Sequence, residues 1–140
     1  MISPADGLVV EADAEKVAIF MNHHNVHVNR SPLGGRVARV EHSDGEHRPA
    51  FLRSSSKNER NLIVIEAPEG EVRLTQITGF FVRRIVCYVR PGDFVDRGER
   101  IGMIRFGSRV EFSIPPGYSL RVSRGDRVRA GETVVAVKEI

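Results

Sequence analysis

Ser108 follows Gly107 in the run Ile104-Arg105-Phe106-Gly107-Ser108-Arg109-Val110, with an apolar, strand-like stretch on either side. A Gly-Ser pair in that setting reads first as a turn. It also offers one specific chemistry. A serine hydroxyl can attack the carbonyl of the residue before it and turn that amide into an ester. A flexible glycine on the acyl side of a strained turn makes the approach feasible. A base must take the hydroxyl proton. Histidine suits that task, with an ordinary pKa of about 6.5, and His27 stands in Val26-His27-Val28-Asn29-Arg30. By itself it also reads as a half-buried strand histidine. Asp6, in Ser3-Pro4-Ala5-Asp6-Gly7, is a good turn residue and also the carboxylate that a serine–histidine–acid set needs to orient its base. His23 and His24 lie just ahead of His27, but the stretch is not helical and brings no matching carboxylate, so no metal is expected.

The elements that must position these groups are strands. The chain has 140 residues, enough for one domain, with 41% hydrophobic and 28% charged residues, thirteen Gly and seven Pro. Val and Ile are common and helix-forming stretches scarce, which favours strands and turns. Strands are expected over 7–10, 16–21, 36–40, 61–66 and 72–77, with residues 22–30 a polar loop leading into Val26-His27-Val28. Residues 41–57 read as a polar, Ser-rich, weakly structured loop, the segment best suited to move over a site. Residues 81–89 fit strand or a short helix, with strand favoured by β-branched content. Cys87 has no partner for an internal disulfide and reads as a small buried hydrophobe.

The C-terminal third carries an internal repeat. Gly-Asp-x-Val-x-x-Gly-Glu occurs at 92–99 and again at 125–132, 33 residues on. Each copy reads as two strands about a tight turn whose glycines allow positive φ. The same grammar occurs in biotinyl and lipoyl carrier domains. The expected fold is therefore mainly β, a barrel–sandwich hybrid with extra strands and at most short helices. The tripeptide that accepts biotin or lipoate is absent, with Lys138 at the chain end and Lys57 in a polar loop. Repeat and fold are silent about function.

The ordered set of motifs says more. Ser3-Pro4-Ala5-Asp6-Gly7, residues 20–32, Ser56-Lys57-Asn58-Glu59-Arg60-Asn61, Gly79-Phe80-Phe81-Val82-Arg83-Arg84-Ile85 and Gly107-Ser108 together resemble the phosphatidylserine decarboxylase family in its short archaeal and bacterial form. The resemblance runs from Ser3 to about Gly131. It implies that the chain is a proenzyme cut at Gly107-Ser108 into a β chain, 1–107, and an α chain, 108–140, within one catalytic domain. β-Elimination of the ester would free the chain ending at Gly107. Hydrolysis of the dehydroalanine left at 108 would then release ammonia and leave a pyruvoyl group, the cofactor. Asp6, His27 and Ser108 would form the self-cleavage triad. The pyruvoyl carbonyl would take up the substrate's amine and accept electron density as CO₂ leaves. Longer members have a second histidine where this chain has Arg30 and Thr where it has Arg109; the short members share the present form. Whether His27 serves both steps or His23 or His24 assists stays open.

By the same resemblance the substrate is phosphatidylserine or the ether-linked archaetidylserine, converted to the ethanolamine lipid. Asn29, Arg30, Asn58, Glu59, Arg83 and Arg84 are the candidate substrate-binding residues, the arginine pair for a phosphodiester or the substrate carboxylate. Expected partners are a phospholipid at a membrane surface, the α and β chains of one proenzyme and, as a further candidate, a second copy in a homodimer. No run approaches the roughly 18 apolar residues of a spanning helix. Family members carry apolar segments ahead of the Ser-Pro-Ala-Asp-Gly motif; here it begins at residue 3, and the expected location is peripheral, on the cytoplasmic face of the cell membrane. A net charge of +3 suits an anionic surface. The charges are evenly spread and no recognition signature accompanies them, so nucleic acid is not expected. Two alternatives remain: a non-catalytic barrel–sandwich module that binds a partner or carries a group, and a hydrolase using Ser108 as a lasting nucleophile.

Overall fold

A computed structural model describes residues 1–21, 27–46, 48–79, 84–105 and 107–139, with the side chains of His27 and Ser56 outside that description. In chain order the strands are β1 (Gly7–Ala12), β2 (Lys16–Met21), β3 (His27–Arg30), β4 (Gly35–Ser43), β5 (Arg60–Ala67), β6 (Gly70–Ile77), β7 (Ile85–Cys87), β8 (Phe94–Val95), β9 (Arg100–Ile104), β10 (Ser108–Ser113), β11 (Tyr118–Leu120), β12 (Arg127–Val128) and β13 (Ala136–Lys138). A 3₁₀ turn covers Arg53–Lys57. Among the described residues no helix is long and apolar enough to cross a membrane.

The strands form an eight-stranded sheet in the order β12-β1-β2-β10-β6-β5-β4-β8, a three-stranded sheet β3-β9-β7 and a two-stranded ribbon β11-β13. The fold is thus mainly β, as expected. The sheets are open rather than closed into a barrel, and the architecture is sandwich-like. Alternation decides which side chains go inside. Val17, Ile19 and Met21 of β2, Val110 and Phe112 of β10, Val72 and Leu74 of β6, and Ile63 and Ile65 of β5 point into one core. The β1–β2 turn is tied by Asp13, whose carboxylate accepts the Glu15 and Lys16 N–H groups at 2.8 and 2.9 Å. Those two bonds hold its carboxyl below the usual range.

The C-terminal repeat is half of a larger repetition. Each copy packs on a Ser-Pro-x-x-Gly-x-Val segment, residues 3–9 for the copy at 125–132 and residues 31–37 for the copy at 92–99. The bonding is the same in both. Val9 donates to Asp126 and accepts from Gly125, both at 2.8 Å, while Val37 donates to Asp93 and accepts from Gly92, both at 2.7 Å. Gly7 pairs with Val128 as Gly35 pairs with Val95, and a β-bulge follows Val9 as one follows Val37. The repeat glycines take positive φ, +98° and +87° at Gly92 and Gly98, +99° and +73° at Gly125 and Gly131.

Three readings of the sequence shift. β4 runs on to Ser43, so His42 lies in a strand and the loop is shorter than expected. β3 begins at His27 rather than within a loop, and β7 settles residues 85–87 as strand. Cys87 is half-buried, its thiol directed to the Val89 carbonyl at 3.3 Å.

Candidate active site around the Gly107–Ser108 bond

β9 ends at Ile104 and β10 starts at Ser108, so the bond of interest lies where the chain enters a central strand. Ser108 is fully buried and pairs with Met21 of β2. It shares the inward parity of Val110 and Phe112. Its hydroxyl donates to the Arg105 carbonyl at 2.5 Å. That bond uses the proton and leaves the oxygen lone pairs free for attack. Gly107 has φ of +76°, a conformation that side-chain-bearing residues rarely adopt, and its N–H donates to Met21 O at 2.6 Å.

The Gly107 carbonyl is pressed against Gly79. A Cβ built on Gly79 would fall 1.7 Å from that oxygen and 3.2 Å from Ala50 Cβ. Gly79, two residues beyond the end of β6, therefore forms the wall that fixes the carbonyl. The sequence carries no local signal for it beyond a glycine after an alternating strand.

Asp6 lies at the same end of the sheet. Leu8 and Arg109 both pair with Phe20 of β2, so Asp6 and Gly107, each two residues before, sit level on either side of the end of β2. Two strand spacings separate them, about 10 Å. His23 and His24 lie outside the described residues; β3 begins at His27, whose backbone pairs with Ile104. The structure brings Asp6, Ser108 and the strand of His27 to one end; the Asp6 carboxylate itself accepts the Ala130 N–H at 2.6 Å. In the matching repeat the same place is held by Gly34, against Arg97 N. Asp6 is thus a carboxylate added to one copy of the repeat only. It lines an open cavity of about 680 Å³ with Arg127, Arg129 and Glu132.

The candidate substrate-binding residues divide. Asn29 is buried, its amide oxygen accepting from Gln76 Nε2 at 3.0 Å. Arg30 donates to Gly98 O at 2.7 Å and lies against Gly131, joining equivalent glycines of the two repeats. Asn58 is buried and bonds Arg48 N, Arg48 O and Thr78 O at 2.8, 2.8 and 2.7 Å, closing the loop ahead of it. Glu59 pairs with His42 at 2.9 Å. With Asp44 these two bring ligand atoms within 4.8 Å of one another, in a cluster open to solvent at His42 and Asp44. Arg83 lies outside the described residues. Arg84 is exposed and, with Arg105, Val86, Met103 and Ile104, lines a cleft of about 120 Å³. Arg105 ties that cleft to Ser108 through its carbonyl.

Two buried polar sets escaped the sequence reading. Arg109 is fully buried, held by Glu11 and, at 2.8 Å, by Glu111. Lys16 and Arg53 flank the same carboxylates at 3.4 and 2.7 Å. A buried arginine needs such pairing. Across from Val110, Asn61 Nδ2 donates to Gln76 Oε1 at 3.0 Å, and Gln76 Nε2 reaches Asn29 and the Val86 carbonyl at 3.0 and 3.3 Å. Gln76 so bridges the large sheet to the three-stranded one. The signal was available: Asn61 and Gln76 take the inward parity of Ile63 and Leu74. Gln76→Ala leaves Asn61 and Asn29 without their partner; at about 1–3 kcal/mol for each unmet group the expected loss is about 3 kcal/mol. Thermal unfolding should show a melting temperature lower by roughly 10 °C, and an unchanged midpoint would remove the bridge from the account.

A family model described as phosphatidylserine decarboxylase matches residues 1–136. Over 139 residues the chain is 51% identical to a putative archaetidylserine decarboxylase proenzyme of Methanococcoides burtonii, covering 99% of this chain and 67% of that one. It is 49% identical over 137 residues to a phosphatidylserine decarboxylase proenzyme of Thermobifida fusca, covering 94% and 63%. A putative archaetidylserine decarboxylase proenzyme of Archaeoglobus fulgidus is 45% identical over 134 residues, with 96% and 68% covered. The chain thus spans about two thirds of the length of these relatives. No solved structure matches it.

Proposed function

The chain belongs to the phosphatidylserine decarboxylase family, and from that premise we propose that it is the self-cleaving part of a pyruvoyl-dependent phospholipid decarboxylase. The observation that carries this is the Gly107–Ser108 bond: a buried serine hydroxyl beside a glycine of positive φ whose carbonyl is clamped by Gly79. Ser108 Oγ attacks the Gly107 carbonyl carbon, and the amide nitrogen leaves to give an ester. His27 takes the hydroxyl proton and Asp6 orients it. Loss of the Ser108 α-proton expels the Gly107 carboxylate, and water then releases ammonia from the residue left behind. Chains 1–107 and 108–140 result.

The residues present fit the pyruvoyl group that this leaves at position 108. It stands at a buried strand end next to a cleft with two cationic side chains. When formed, the group supplies an electron sink for loss of CO₂ from an amino acid head group. Arg84 and Arg105 hold the phosphodiester of a phosphatidylserine-type or archaetidylserine-type lipid, and the apolar floor of Val86, Met103 and Ile104 takes the start of its hydrocarbon part. The side chains of Asn29, Arg30 and Asn58 serve this site by holding its supports, since their polar groups are engaged within the fold. The enzyme works peripherally, at the cytoplasmic face of the membrane.

Intact mass under denaturing conditions tests this. The expected result is two chains divided at Gly107/Ser108, the smaller one lighter than its sequence by the serine-to-pyruvoyl change and labelled by an amine under cyanoborohydride. A chain that stays whole and unlabelled after long incubation with anionic lipid overturns the reading.

A further inference from the structure

The connection from β4 to β5 carries an exposed apolar tip midway along it. Phe51 and Leu52 are 56% and 41% exposed, while Ala50 before them is buried. The tip is held out rather than loose. Ser55 donates to Leu52 O and Ala50 O at 3.0 and 3.2 Å, and Leu52 donates to Pro49 O at 3.1 Å. Phe51 stands edge-on to Phe20 at 5.8 Å, and Arg109 reaches Leu52 O at 3.5 Å. Ala50 touches the wall formed by Gly79, so the tip stands next to the Gly107 carbonyl. Arg48, Arg53 and Lys57, all exposed, lie on the same loop with two exposed carboxylates, Asp44 and Glu46; Arg48 pairs with Glu46 and Arg53 with Glu11, both at the surface.

We propose that Phe51 and Leu52 are the membrane-docking tip of this protein, inserting into an anionic phospholipid bilayer while Arg48, Arg53 and Lys57 meet its head groups. An aromatic and an aliphatic side chain side by side on a loop with three exposed cations, more than its two carboxylates, match the boundary of such a bilayer, apolar below and negative above. The charge pattern selects lipid over a neutral apolar partner. Phe94, 79% exposed and the most exposed large hydrophobic among the described residues, is the contrast: Asp93 and Asp96 flank it in the chain, the Glu66 carboxylate lining the same hollow is paired with Arg36, and it carries no such role. Docking by the tip brings the Gly107–Ser108 end to the head-group layer, so a lipid enters the Arg84–Arg105 cleft without leaving the membrane. This orientation rests on the decarboxylase reading; the docking itself does not.

The test is co-sedimentation of the full chain with vesicles of phosphatidylcholine, alone or doped with phosphatidylglycerol. Wild type should bind the doped vesicles, less so as salt rises. Phe51→Ser with Leu52→Ser should lower binding at least about tenfold, and Phe94→Ser should leave it unchanged. Denaturing mass spectra of the same samples report self-cleavage separately. Wild type that ignores doped vesicles, or a Phe51/Leu52 variant that binds as wild type does, overturns the docking tip whether or not the chain cleaves. Tip-dependent binding by a chain that never cleaves upholds the docking tip and removes the decarboxylase.

Discussion

Ser108→Ala should stay a single chain of 140 residues indefinitely and have no decarboxylase activity above background. Without Oγ no ester can form, and without the ester the backbone has no low-energy route to cleavage. The cofactor then never exists. Because enzymes typically exceed the uncatalysed rate by at least about 10⁶-fold, the expected loss is of that order or greater. Folding should survive. The substitution removes one hydrogen bond, to the Arg105 carbonyl, at a net cost of about 1 kcal/mol. A melting curve close to wild type beside an uncut band is the predicted pair of results. Cleavage in this variant, or decarboxylation by an uncut chain, would sink the proposal. Labelling of uncut wild type by a serine-directed phosphonate would favour the hydrolase alternative.

The second large effect is expected from a residue that does no chemistry. Gly79→Ala places a methyl group where the Gly107 carbonyl oxygen now lies, 1.7 Å from it, and the obstacle is backbone rather than a side chain that can swing away. The carbonyl must shift by on the order of 1 Å, and displacement of that size costs about 10²-fold in a reaction that depends on near-attack geometry. Overpacking costs a further 1–3 kcal/mol or so of stability. The time course of chain cutting by gel or mass spectrometry reads the first effect, and thermal unfolding reads the second. A variant destabilised as expected but cleaving at the wild-type rate would mean that Gly79 only fills space. Gly34→Ala is the useful comparison. Its nearest neighbour would be Arg97 N at 3.3 Å, far from Ser108 along the sheet, and cleavage should be unaffected.

What could be read from the sequence followed the reach of the signal. β5 and β6 alternate cleanly because one face of each is core, and both were legible to within a residue or two. The end of β4 was not, because Glu41, His42 and Ser43 face solvent or the sheet edge and look like loop. The hairpins at Gly92 and Gly125 were visible as a repeat, since their glycines and aspartates recur at fixed places. Their partners at Ser3 and Ser31 repeat only Ser, Pro, Gly and Val, too little to stand out until the hydrogen bonds align them. For the proposed site, Gly107 and Ser108 stand out in the sequence because the chemistry proposed for them is local. Gly79 appears there only as the start of a motif, and its approach to the Gly107 carbonyl, made across the sheet, was not legible. Asn29, Arg30 and Asn58 show the converse: polar residues near a motif invite a ligand role, yet here their groups close internal bonds.

β10 lies between β2 and β6, and β12 lies on β1, so the chain after Ser108 is woven into the chain before it on both faces of the cut. The expected products therefore stay together as one particle in native buffer and part only in denaturant. Cleavage at Gly107–Ser108, as proposed, would also change the molecularity of folding. The uncut chain finds its fold in a single-molecule event, its ends kept at high effective concentration by the peptide bond. The cut protein must find a partner, so its recovery from denaturant depends on dilution. On the proposed cleavage the fold need be attained only once, as a precursor, and would afterwards endure by the slowness of its unfolding.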